Sequence, residues 1–274
     1  MAAVDYEAEY NNRARIPAYR EIVMRWQATS AVDRRAARGE LDQAYGAGER
    51  QRYDLFYAGD PAAPLVVYIH GGYWQMGSRQ DTAFIARALN AAGIDVAVPS
   101  YSLCPAVSVM DIIDELRRCL AALWRKANKR PVVIGHSAGG HLTAAMLATD
   151  WRNVPGVPGD LVRVGCAISG VFELAPLIAT TMNTALRLDA STARAASPLL
   201  WPPPPAGSTL VSVVGGDETG EFHRQSRAVT DAWARAGVQT EYVSVPGANH
   251  FTIVDELTQP DSALFGRVVA LTQR

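Results

Sequence analysis

The residues best suited to chemistry are Gly135-His136-Ser137-Ala138-Gly139, which follow the apolar run Val132-Val133-Ile134 and open the small-residue segment Gly140 to Ala145. A serine between two glycines at the junction of a buried strand and a helix reads as a nucleophile elbow. The glycines allow a turn so tight that a side chain at either position would strike the neighbouring strand or helix. Ser137 is then expected to stand above the sheet, with the first N–H groups of the following helix aimed at developing negative charge. Acyl transfer is the chemistry this implies. It needs an oxyanion donor, an acid and a base from elsewhere in the chain.

The donor is offered by His70-Gly71-Gly72-Tyr73-Trp74-Gln75, directly after Leu65 to Ile69, a continuous apolar run of the kind a central parallel strand shows. Open α/β sheets bind ligands at the carboxyl ends of such strands. The N–H groups of Gly72 and Tyr73 are expected to join that of Ala138 as an oxyanion hole, with His70 bracing the loop, while bulky Tyr73 and Trp74 narrow the acyl side. Two later loops carry the remaining groups. Gly215 to Gly220, after Leu210 to Val214, presents Asp217 and Glu218; Pro246 to Phe251, after Thr240 to Val245, presents His250.

Nucleophile, acid and histidine in this chain order resemble the α/β-hydrolases, whose acid follows a late strand and whose histidine follows the last one. Only His223 and His250 come after the candidate acids, and His223 lies at the start of the next helix. Ser137 is therefore assigned as nucleophile and His250 as base, and later as acid to the leaving group. Spacing alone does not separate Asp217 from Glu218. His136 and His141 read as structural.

The elements that would position these groups alternate along the chain. Arg52 to Tyr57 reads as a half-buried strand, and Ile94 to Val98 and Val162 to Ile168 as further strands. Ser78 with Asp81 and Ser108 with Asp111 are capping signatures; after the second, Val109, Ile112, Ile113, Leu116, Leu120, Leu123 and Trp124 form a helical core stripe. Phe222, Val229, Ala232 and Trp233 mark another helix, and Asp261 starts a final one. The expected fold is a single α/β domain over residues 1–274, a mostly parallel central sheet flanked by helices. Residues 1–48 are expected as a helical extension, helical around Ala18 to Trp26 and Ala31 to Leu41, with Arg34 to Arg38 as a solvated face. An insertion at 170–205 sits over the strand ends and, with the N-terminal segment, forms a small cap. Trp74, Phe172 and Asn183 are the candidate pocket residues.

Composition narrows the partners. Lys plus Arg (26) nearly balance Asp plus Glu (27), so nothing favours nucleic acid or an anionic membrane, and a small molecule is the expected partner. Three cysteines at no metal-ligand spacing fit burial in a reducing compartment. The first residues show neither a basic start nor an apolar core, and no apolar run reaches the roughly 18 residues of a membrane span, so a cytoplasmic protein is expected. His-Glu-x-x-His, paired Cys-x-x-Cys and Gly-x-x-x-x-Gly-Lys patterns are absent, so no metal or other cofactor is expected. A homodimer is compatible with the sequence, which is otherwise silent on oligomeric state.

Four stretches together resemble the arylformamidase (kynurenine formamidase) branch of the α/β-hydrolases. They are His70 to Gln75 with Gly77-Ser78, Gly135 to Gly139, Ser169 to Leu174 continuing through Pro176-Leu177-Ile178-Ala179-Thr180, and Glu221-Phe222-His223-Arg224-Gln225-Ser226. That family carries its acid three residues before the Glu-Phe pair, which implies Glu218 rather than Asp217, where many relatives have Asp. The resemblance implies hydrolysis of N-formyl-L-kynurenine to kynurenine and formate in tryptophan breakdown. A short-chain carboxylesterase with the same residues is the alternative, and a non-catalytic ligand-binding protein on the same scaffold is a third reading.

Overall fold

The computed structural model describes residues 4–274; Met1 to Ala3, part of the N-terminal stretch read above for a leader, lie outside the described residues. Among the described residues eight strands share one sheet: β1 (Gly39–Ala44), β2 (Arg52–Phe56), β3 (Leu65–Ile69), β4 (Asp95–Pro99), β5 (Val132–His136), β6 (Val164–Ile168), β7 (Thr209–Gly215) and β8 (Gln239–Val245). Their order is β1-β2-β4-β3-β5-β6-β7-β8. β2 pairs antiparallel with both β1 and β4, and every other neighbouring pair is parallel.

The chain enters through the short helices α1 (Tyr6–Tyr10) and α2 (Asn12–Arg15) and the long α3 (Tyr19–Ala36). Between strands come α4 (Arg79–Thr82), α5 (Ile85–Ala91), α6 (Val109–Ala127) and α7 (Ala138–Leu147). After β6 lie α8 (Asn183–Leu186) and α9 (Ala190–Ala195), then α10 (Gly220–Ala234) before β8, and α11 (Thr252–Asp255) and α12 (Ala263–Leu271) at the end.

Helices cover both faces of the sheet, which is why its parallel strands read as unbroken apolar runs. The period of two divides those runs between two cores. Leu65, Val67 and Ile69 of β3 pack on one side with Ile112, Leu116 and Leu120 of α6, Leu142 of α7 and Phe222 and Trp233 of α10. Val66 and Tyr68 pack on the other with Ile22 and Trp26 of α3, Ile85 and Leu89 of α5 and Leu264 and Val268 of α12. Each such side chain, fully buried, contributes about 1.5 to 3 kcal/mol.

The N-terminal third departs from the sequence reading. Instead of a helical extension to residue 48, one helix ends at Ala36 and the chain turns into β1, an antiparallel edge strand. A Cβ on Gly39 would lie 2.1 Å from the carbonyl oxygen of Leu55, so the glycine admits the close pairing with β2 that overrides local helical preference. That pairing also buries Tyr53 to Phe56 completely, where the alternation had suggested a half-buried strand. Arg34, expected in solvent, turns inward to Asp54, its Nε 2.7 Å from a carboxylate that is wholly buried and also meets Arg79. Ser108 and Asp111 form the full capping box, whereas Ser78 donates to the Asp81 carboxylate at 2.6 Å and the first N–H of α4, that of Arg79, donates to Ser100 Oγ instead.

Candidate active site

Five loops at the carboxyl ends of β3, β5, β6, β7 and β8 converge on one point. At its centre the elbow between β5 and α7 holds Ser137 at φ 57° and ψ −116°, a strained conformation for a residue with a side chain. The glycines make that turn possible: a Cβ on Gly135 would lie 2.3 Å from the carbonyl oxygen of Gly139, and one on Gly139 only 2.0 Å from that of Ile69. Ser137 is 6% exposed.

His250, in the loop after β8, has Nε2 3.1 Å from Ser137 Oγ and Nδ1 2.6 Å from Glu218 Oε2. Those contacts fit Nδ1–H donating to the carboxylate, which leaves Nε2 free to accept from the serine hydroxyl. The other Glu218 oxygen accepts from the N–H of Gly215 at 2.7 Å and from Ser169 Oγ at 2.5 Å. Ser169, which the sequence places in a family stretch without giving it a role, is thus the residue that fixes the far side of the carboxylate. Asp217 is exposed and outside this chain of contacts; its N–H donates to Ala248. His223 is also elsewhere, its Nδ1 2.7 Å from the Tyr242 hydroxyl.

The other three buried histidines organise the loops. His136 Nε2–H donates to the carbonyl of His250 at 2.7 Å, and burial together with the neighbouring His250 holds its pKa well below the ordinary value. His70 Nδ1–H donates to the carbonyl of Gly71 at 2.7 Å, and its ring stacks on Tyr101 at 4.2 Å. Burial pushes it down to about 4. His141, likewise pushed down to about 4 by burial, donates from Nε2 to the carbonyl of Ala196 at 2.7 Å and accepts at Nδ1 from Trp74 Nε1–H at 3.3 Å. It therefore ties the loop after β3 to the segment after β6.

That first loop brings Gly72, Tyr73 and Trp74 through three successive positive φ values, 116°, 53° and 57°. Gly71 lies so close to the elbow that a Cβ there would be 3.0 Å from that of Ser137. Among the described residues the N–H groups of Gly72, Tyr73 and Ala138 have no protein acceptor. Unused N–H groups on the two loops that meet at Ser137 are the kind of donor an oxyanion requires.

Beside Ser137 is a small cavity lined by Tyr10, Tyr73, Trp74, Ala138, Val171, Leu177, Met182 and Phe222. Its free volume is about 10 Å³, room for roughly one water. Of the sequence candidates Trp74 lines it; Phe172 and Asn183 do not. Phe172 is fully buried, its ring against Gly170. The Asn183 amide closes its own turn, accepting from Leu188 N–H at 2.7 Å and donating to the carbonyls of Leu188 and Ile178. Neighbours in sequence supply the wall instead, because an irregular segment gives no periodicity from which to read side-chain direction.

Behind the wall the stretches Ser169 to Leu174 and Glu221 to Ser226 interlock. Gln225 Oε1 accepts from the N–H groups of Phe172 and Glu173, both at 2.9 Å, while its Nε2 donates to Tyr10 Oη and to the carbonyl of Glu173. Tyr10 in turn donates to Glu221 at 2.7 Å. A wider cleft of about 440 Å³ at the amino ends of β3 and β4, among Tyr57, Asp60, Asp95, Lys126 and Lys129, contains none of these groups. Among the described residues no cluster of His, Cys, Asp or Glu could hold a metal ion, and no helix is long and apolar enough to cross a membrane.

Residues 66–254 match the family described as the alpha/beta hydrolase fold. A kynurenine formamidase of Drosophila melanogaster is 30% identical over 231 residues, 80% of this chain and 76% of its own. One from Danio rerio is 28% identical over 232 residues, covering 82% and 78%. A solved structure from Silicibacter sp., provisionally described as a thioesterase, is 31% identical with a TM-score of 0.88, covering 99% of this chain and 100% of that one.

Proposed function

The chain belongs to the α/β-hydrolase family, in the branch that holds the kynurenine formamidases, and is a hydrolase; from that premise we propose that it cleaves N-formyl-L-kynurenine to L-kynurenine and formate. The observation that carries the reading is the unbroken contact from Ser137 through His250 to Glu218, 3.1 Å and 2.6 Å, set beside three unused N–H donors.

In this mechanism Ser137 Oγ attacks the formyl carbon while His250 Nε2 takes the hydroxyl proton. Glu218 holds the ring and stabilises the imidazolium that forms. The oxyanion is received by the N–H groups of Gly72, Tyr73 and Ala138, each worth about 3 to 4 kcal/mol in the transition state. Collapse expels the aryl amine, which leaves as L-kynurenine with the proton from His250. A water, deprotonated by the same nitrogen, then hydrolyses the formyl ester of Ser137, releasing formate and restoring the serine. The aromatic wall of Tyr10, Tyr73, Trp74 and Phe222 suits an aryl leaving group once the walls of the cavity part.

The test is the ratio of kcat/KM for N-formyl-L-kynurenine to that for p-nitrophenyl acetate. A formamidase gives a ratio well above one, although the amide is the intrinsically harder bond. A negligible ratio with brisk ester hydrolysis would reassign the same residues to a short-chain carboxylesterase.

A further inference from the structure

The proposed substrate has a charged amino-acid end, and the cavity beside Ser137 has no charged side chain in its wall. Recognition of that end therefore falls to the rim. The rim is supplied by α1 and α2, which cross the mouth of the site and touch three of its sides. Glu7 accepts from the N–H and hydroxyl of Thr181 at 2.7 Å and 2.8 Å, Glu9 accepts from Glu221 N–H at 2.9 Å, and the N–H of Asn12 donates to Tyr73 Oη at 3.1 Å.

The carboxylates at the rim are thereby committed, and Arg15, the other arginine of α2, is exposed. Glu7 and Glu9 cap backbone N–H groups, Glu221 takes Tyr10 and Arg224, and Arg224 is shared between Glu221 and Glu173. Arg13 differs. Its guanidinium carbon lies 5.0 Å from the centre of the Tyr73 ring, and its Nη1 is 3.6 Å from Met76 Sδ. Among the described residues it pairs with no carboxylate. Tyr73, the ring it covers, itself lines the cavity. A half-buried cation one side chain away from the cavity, against the Tyr73 phenol and the Met76 thioether, makes no ion pair within the chain and has guanidinium donors left for an outside carboxylate.

We propose that Arg13 is the specificity-determining residue for the amino-acid end of the substrate, its guanidinium taking the α-carboxylate of an N-formyl aryl amine whose ring occupies the Tyr10, Tyr73 and Phe222 cavity. This rests on the formamidase reading for both the acyl group and the amino-acid end. Bidentate pairing of Arg with a carboxylate gives both strength and orientation. Because the contact is far from the reacting carbon, its loss raises KM more than it lowers kcat.

The experiment compares two matched pairs on wild type, Arg13→Gln and Arg13→Lys. The first pair is N-formyl-L-kynurenine and N-formyl-2-aminoacetophenone, the same aryl formamide without the amino-acid end; the second is the same two skeletons with O-acetyl in place of N-formyl. Wild type is expected to prefer the amino-acid-bearing member. Arg13→Gln should cut that preference about 10- to 100-fold, mainly through KM, with Arg13→Lys between them. A preference that survives in Arg13→Gln, or the two members of a pair falling together, would overturn the proposal, as would a wild type with no preference. Turnover of only the O-acetyl pair would refute the formamidase reading and still test Arg13; turnover of none of the four would reject both.

Discussion

Glu218 carries one methylene more than an aspartate would, and its two oxygens are divided between two tasks. Oε1 is fixed by the N–H of Gly215 and the hydroxyl of Ser169, which leaves Oε2 to face His250 Nδ1. Asp217, one residue earlier in the same loop, reaches solvent instead. Replacing the acid by its amide removes the charge and favours the wrong imidazole tautomer. Glu218→Gln is therefore expected to lower kcat on the order of 10³ to 10⁴. Asp217→Asn should stay within about twofold of wild type, as exposed substitutions do. Steady-state kinetics of the two variants would decide it, and equal losses in both, or the larger loss in Asp217→Asn, would remove Glu218 from the mechanism.

Among elements, the join that matters is between α10 and the segment after β6, because each contributes a wall of the cavity. Gln225 makes it: four hydrogen bonds from one buried amide hold Phe172, Glu173 and Tyr10. Gln225→Leu leaves the buried Phe172 N–H and the partly buried Glu173 N–H without partners at a cost of about 2 to 4 kcal/mol, read as a lower denaturant midpoint with a rise in KM. An unchanged midpoint would mean the clamp is idle. How much of this was legible in the sequence depended on the kind of signal. Ser137, His250 and the His70 loop could be found because each follows an apolar strand and their chain order is restrictive. Asp217 and Glu218 could not be separated by spacing, since adjacent residues in a turn differ by direction, which a linear pattern does not carry. Phe172 was expected in the pocket and lies in the core, while Val171, Leu177 and Met182, from the same irregular stretch, face Ser137. β1 escaped notice because Gly-Glu-Leu-Asp-Gln-Ala offers no apolar period; its place is fixed by pairing with β2 and by the buried Asp54 cluster.

Over the whole molecule, neutral histidines hold the loops of the site together, and this couples stability to pH. His70 and His141 have folded pKa values pushed down from 6.5 to about 4 by burial, so between those values the unfolded chain binds protons that the folded one refuses. The stability from each is fully present above pH 6.5 and is lost as pH falls toward about 4, at most about 3 kcal/mol per histidine. Urea midpoints should fall across that window, and His141→Leu should flatten the fall while lowering the midpoint overall. A midpoint independent of pH there, or a slope untouched by the substitution, would contradict the assignment. The same packing leaves room for about one water beside Ser137, so α1 and the 170–205 segment have to part before an aryl formamide can enter. Val171, Leu177 and Met182 of that segment and Tyr10 of α1 are the walls that would move.

Everything proposed about the reaction depends on Ser137 being the nucleophile. The most direct measurement is turnover of N-formyl-L-kynurenine by wild type and Ser137→Ala, with circular dichroism showing that the variant is folded. Expected is a loss on the order of 10⁶ in kcat, leaving only what the oxyanion donors and binding provide. A folded Ser137→Ala that keeps most of its activity would show that the bond is broken by another group, and that the serine, histidine and glutamate contacts serve structure alone.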